Sequence, residues 1–168
     1  IERLVRRFPD DDVPLLVEML VLLAYSAGRV DPDEQVAVSA GIESVMGTRL
    51  PSDHVAALVA ECVDQLLAES VDLRALAVGH LLAERGRAED GLRLGIAVAL
   101  ASGALAEAEQ DLLGTLARAA GVSGARLDGL IEKVRHAGAA RNAYQIAERF
   151  FNVWYLMRYS SRRLRQRL

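Results

Sequence analysis

Cysteine occurs once in 168 residues, lysine once, and aromatic residues make up only 5% of the chain. With Cys62 alone no internal disulfide can form, which favours a reducing compartment. Cys62 lies in the apolar run from Val55 to Leu67, so it reads as a small core residue and not as a reactive thiol. Proline occurs four times, which leaves room for long uninterrupted helices. The hydrophobic fraction is 52%, and with so few aromatics that mass is mainly Ala, Leu and Val. Such a composition suits packed helices better than strands. No run approaches the roughly 20 apolar residues of a membrane-spanning helix. No secretory signal pattern is visible, and a cytoplasmic location is expected. The near-exclusive use of Arg over Lys reads as the coding bias of a GC-rich, bacterial genome, with no bearing on binding.

Catalytic apparatus is missing as well. The three histidines, His54, His80 and His136, fall in no metal-ligand or nucleophile pattern. His80 and Glu84 make one i,i+4 pair, the ordinary spacing of a surface contact on a helix. The chain has no nucleophile elbow, phosphate-binding glycine loop or dinucleotide fingerprint. The expectation is a protein without enzymatic activity and without a cofactor.

What the chain does have is one segment twice. Gly28-Arg29-Val30-Asp31-Pro32-Asp33-Glu34-Gln35 precedes Gly103-Ala104-Leu105-Ala106-Glu107-Ala108-Glu109-Gln110 by 75 residues. Val21 matches Ile96 and Ala24 matches Ala99 at the same spacing. Two copies of one helix-turn-helix unit predict an all-α fold, a pseudo-twofold bundle. At this length one compact body can bury a real core.

Capping signals order the helices. A helix over 13–27 is apolar enough to be central, and Gly28 stops it. Asp31, Pro32 and Glu34 form a strong start for a second helix to about Met46. Pro51-Ser52-Asp53 opens a third to about Leu67, and Ser70 or Asp72 a fourth to about Arg85. The second copy predicts helices over 89–102 and 106–120, stopped at Gly103 and Gly121. Ala106 replaces the capping Asp31, so packing is expected to hold this turn. Ser123 caps a helix to about His136, and a long final helix follows Gly138.

The duplicated turn, with Gly28, Val30 and Glu34 in one copy and Gly103, Leu105 and Glu109 in the other, resembles the TerB-like family of tellurite-resistance helical proteins. The resemblance covers about residues 13–135 and implies the pseudo-twofold bundle. It also implies an acidic cluster for divalent metal, to which an Asp before each Gly contributes. Here Ala27 and Ser102 stand in those places. The acids left near the turns are Asp31, Asp33, Glu34, Glu107 and Glu109. A hard cation wants six to eight converging oxygens. Acids in a first helical turn have a simpler use, as caps and partners of the helix dipole. No metal site is therefore expected; if one exists, its ligands are Asp31, Glu34, Glu107 and Glu109, in a metal-binding stress-response protein.

The charge is split unevenly. Residues 138–168 hold seven Arg and one Glu, while the rest of the chain holds 13 basic and 22 acidic residues. The same tail carries six of the eight aromatics: Tyr144, Phe150, Phe151, Trp154, Tyr155 and Tyr159. This divides the chain into an acidic helical domain, 1–137, and a basic aromatic docking helix, 138–168. In heptads, Ala140, Ala143, Ala147, Phe150, Trp154, Met157, Ser161, Leu164 and Leu168 form a stripe suited to helix packing. Between Phe150 and Met157 only Asn152 is clearly polar, so one contact face cannot cover the helix.

Three readings stand for the tail: it completes the core, it docks a protein, or it lies at a membrane interface, where Trp, Tyr and Arg are favoured. The basic end could touch phosphates, but the acidic body repels nucleic acid. The expected function is an accessory or adaptor subunit. It docks on a protein complex, at the cytoplasmic face of a membrane in one version, with an anionic lipid surface as a second contact. The expected docking residues are Phe150, Phe151, Trp154, Tyr155, Arg158, Arg162, Arg163 and Arg165.

Overall fold

A computed structural model describes residues 8–26, 38–43, 51–101 and 105–138. Every regular element among them is helical, and they contain no strand. A short 3-10 turn, Asp10–Asp12, leads into α1, Val13–Tyr25. Residues 38–43 are helical. Then come α2, Ser52–Ala68; α3, Val71–Glu84; α4, Ala88–Ala101; α5, Glu107–Ala119; and α6, Gly124–Gly138.

Helix α1 is the axis of the bundle. Leu16, Val17, Met19, Val21 and Leu22 are fully enclosed, and Glu18 is among its few residues that are not buried. A helix apolar all round must be covered on every side, and α2, α3 and α4 all pack on α1. Ser26 ends it, its hydroxyl donating to the Leu23 carbonyl at 2.7 Å. Helix α4 is the second central rod, with Leu92, Leu94 and Ile96 fully buried and with α5 and α6 against it. Gly95 keeps this crossing close: a Cβ there would stand 3.1 Å from Leu23 Cδ1 of α1.

Helix α3 packs closely on α5. A Cβ on Gly79 would lie 2.5 Å from Ala119 Cβ and 2.7 Å from the Leu116 carbonyl oxygen. Only a residue with no side chain lets the two backbones come so near.

The helix boundaries follow local chemistry. Ser70 caps α3 by accepting from the Leu73 N–H at 3.2 Å, and Ser123 caps α6 by accepting from the Arg126 N–H at 3.3 Å. Gly86, φ 65°, and Gly121, φ 71°, take the left-handed conformation after α3 and α5. The expected second-copy turn needs a correction. Ala106 was expected to leave it without a cap, yet the Glu109 carboxylate reaches back and accepts from the Ala106 N–H at 2.8 Å. Half of a capping box survives the loss of the capping side chain. The helix expected to end near His136 runs to Gly138.

Candidate functional site

The acids singled out in the sequence are only partly within view. Asp31 and Glu34, with Asp33, Ala27 and Ser102, lie outside the described residues. Glu109 is 4% exposed and spends its carboxylate on the start of α5. Glu107, two residues earlier, is exposed. Among the described residues no group of three or more His, Cys, Asp or Glu side chains is placed to hold a metal ion. The docking residues Phe150, Phe151, Trp154, Tyr155, Arg158, Arg162, Arg163 and Arg165 also lie outside the described residues.

The charged groups that are described tie helices together. Asp12 is 6% exposed and meets two arginines from the α3–α4 turn. Arg85 Nη1 donates to its Oδ1 at 2.7 Å and to the Asp11 carbonyl at 2.8 Å, and Arg87 Nε is 3.4 Å from Oδ2. The Arg87 guanidinium also stands 6.0 Å from the Phe8 ring centre. This fixes the entry of α1 against the far end of α3.

A second anchor joins α1 to α3: Arg74 Nε donates to Glu18 Oε1 at 2.8 Å, and Arg74 Nη1 lies 3.5 Å from Glu69. Glu89 of α4 takes two bonds from Arg126 of α6, at 2.6 and 2.9 Å. Hydrogen bonding from Arg126 holds the Glu89 carboxyl below its ordinary range. The pair is solvent-facing, so its stabilising effect is small.

Cys62 is buried, and burial first, then the negative charges of Glu18 and Glu61, push its thiol up to about 12. Only the thiolate is a useful nucleophile. In the native protein at pH 8, Cys62 should react with iodoacetamide more than roughly 100-fold slower than in denaturant. Labelling at the speed of the unfolded chain would refute that. The histidines are peripheral: His54 and His80 are exposed, and His136 Nδ1 sits 2.7 Å from the Glu132 carbonyl of its own helix.

Sequence reasoning missed one surface. Leu67 at the end of α2 is 65% exposed, and Leu73 and Leu76 on α3 are 59% and 37% exposed. Leu73 and Leu76 stand among further apolar residues of α3, Ala75, Ala77 and Val78, so the sequence does not single them out. Only packing shows that the α5 side takes Val78 and Gly79 while Leu73 and Leu76 are left outside. Among the described residues no helix is long and apolar enough to cross a membrane.

A family model described as tellurite resistance protein TerB matches residues 15–130. The tail lies beyond that match. No curated protein and no solved structure matches the chain.

Proposed function

The chain belongs to the TerB family, and we propose that it is a non-enzymatic accessory subunit that docks on a protein complex through residues 138–168. The observation that carries this reading is the segregation of binding chemistry into the tail. Six of the eight aromatics and seven of the 20 basic residues stand there, outside the family match. Aromatics and Arg are the usual anchors of interfaces. The body supports the same reading, because Asp12, Glu18 and Glu109 are engaged in its own fold. Exposed Leu67, Leu73 and Leu76 add apolar contact area of the kind interfaces use.

The 75-residue repeat supports an approximate twofold relation between the halves, with α1 and α4 as counterparts and a helix after Gly138. A peripheral position at a membrane is the more specific form of the proposal, since Trp, Tyr and Arg also suit an anionic surface. The metal-binding alternative is weaker. Its Glu109 carboxylate is buried and committed to a cap, and Ala27 and Ser102 lack oxygens of the required charge.

The test is co-purification of tagged protein from its own cells, full length beside Arg162→Ala/Arg163→Ala/Arg165→Ala and Tyr155→Ser variants. One stoichiometric partner retained by the full chain is expected. The triple Arg variant should lose it more steeply with salt, because screened charge contributes mainly to encounter. A partner retained equally by all variants at all salt concentrations would refute docking through the tail.

A further inference from the structure

Two surface properties coincide at one place on the helical body. Among the described residues the exposed large apolar side chains are Leu67, Leu73 and Leu76. Leu67 stands on the last turn of α2, and Leu73 and Leu76 on the first two turns of α3. Single exposed leucines are ordinary on a protein surface, but three at one corner are not scattered.

Helix α3 shows why they are left outside. Its inner side, with Ala75, Val78, Gly79 and Leu82, is buried where α1 and α5 pack on it. Leu73, Leu76, His80 and Ala83 follow a spacing of three and four along the other side, and all are exposed. This outer face extends about 16 Å from Leu73 to Glu84, at about 1.5 Å per helical residue.

Negative charge is concentrated over the same two helices. Residues 51–84 hold six acids, Asp53, Glu61, Asp64, Glu69, Asp72 and Glu84, against a single Arg and no Lys. All six are exposed. The one arginine, Arg74, is engaged by Glu18 and Glu69, and Arg85, next along the chain, is held by Asp12. Asp53, Glu61, Asp64, Asp72 and Glu84 make no ion pair among the described residues. By contrast Glu89 and Asp90 of α4 and Glu132 of α6 each meet an arginine.

Together these properties select an occupant. A second copy laid face to face would bring Asp72 and Glu84 against like charges. Nucleic acid and anionic lipid are repelled for the same reason. A helix with apolar residues along one side and Lys or Arg beside them covers the leucines and pairs the acids at once.

We propose that the outer face of α3, with Leu67 at its corner, is a docking site for a basic amphipathic helix of another protein. It is separate from the docking attributed above to residues 138–168 and does not depend on it. Leu73 and Leu76 supply the apolar contact. Asp72 and Glu84, near the two ends of α3, flank that contact and set where the basic side chains settle.

The experiment is fluorescence anisotropy with the full chain and a labelled peptide as long as α3, with Leu on one face and Lys on the other. Binding is expected, and the twin peptide with Glu in place of Lys should bind at least roughly tenfold more weakly. Leu73→Ser/Leu76→Ser should weaken binding of the Lys peptide about tenfold or more, as loss of two buried apolar contacts does. At about 0.15 M salt, where charges beyond about 8 Å are screened, Asp72→Asn/Glu84→Gln should weaken it roughly three- to tenfold. Glu107→Gln/Asp111→Asn removes the same charge from exposed positions on α5 and should change it less than about twofold.

Absence of binding, equal binding of the two peptides, or equal weakening by the α3 and α5 charge variants would overturn the proposal. So would unchanged binding by Leu73→Ser/Leu76→Ser. This variant should also shift the melting temperature by less than about 3 °C, as exposed substitutions do; a larger loss would make the leucines part of the core and overturn the proposal too. A dimer of the full chain in sedimentation that Leu73→Ser/Leu76→Ser dissociates would do the same, since the occupant would then be a second copy. Every substitution leaves residues 138–168 intact, so this outcome and that of the co-purification test are independent.

Discussion

Gly79→Ala should lower the melting temperature of the protein by about 5–10 °C, following the usual overpacking penalty of about 1–3 kcal/mol or slightly more. The direction follows from what the new methyl meets. Its neighbours would be Ala119 Cβ at 2.5 Å, the Leu116 carbonyl at 2.7 Å and the Ala120 nitrogen at 3.3 Å. Two of the three are backbone atoms, which cannot rotate away as a side chain can. Helix α3 must therefore move off α5, and both carry core residues: Val78 and Leu82 on one, Leu113 and Leu116 on the other. Gly91 is the control. A Cβ there meets only the Leu82 side chain, at 2.8 Å from Cδ2, which can change rotamer. Gly91→Ala should thus cost less than Gly79→Ala, even though both gain the helix propensity of alanine, about 1 kcal/mol. Equal melting temperatures for Gly79→Ala and the parent would mean that α3 and α5 do not cross where described.

Asp12→Ala should destabilise by about 2 kcal/mol, measured by urea denaturation at neutral pH. The carboxylate is buried and receives Arg85 at 2.7 Å with Arg87 at 3.4 Å. Removing it leaves two guanidinium groups without their counter-charge beside the start of α1. The loss stays below the 3–5 kcal/mol of a fully buried pair because Arg85 is 40% exposed and can turn to water. Asp12→Asn keeps one acceptor oxygen and should lose less. Neutral behaviour of Asp12→Ala would show that α1 is positioned by its apolar contacts alone.

The legible part of this protein was periodic or punctuated. Helix α1 was evident because Val13 to Ala24 is apolar on every face, and its end was expected within two residues of Tyr25. Ser70 and Ser123 marked helix starts because a hydroxyl can accept from an N–H three residues on, and both do. The turn before α5 was misread for the converse reason. Ala106 has no acceptor, but the second member of the box, Glu109, acts alone across one helical turn. A sequence rule that looks only at the cap position overlooks this.

Burial was harder to read than helicity. Asp12 stands in the acidic run Asp10–Asp12 yet is buried, and its partners are 73 and 75 positions away. Leu73 and Leu76 are apolar yet exposed, since α3 has more apolar residues than its neighbours cover. Of the candidate site, Glu109 was legible as an acid at a helix start, where its carboxylate accepts from the Ala106 N–H.

By itself the sequence determined the helical class, the order and ends of most helices, and the presence of a segment repeated after 75 residues. Those properties depend on neighbours within about one turn, or on self-similarity, and both are written along the chain. The tertiary structure decided which helices touch and how closely. That depends on Gly79 meeting Ala119 and Leu116, and on Arg74 reaching Glu18 across 56 positions. Contacts of this kind follow from the shapes of whole packed faces, and no local pattern encodes them.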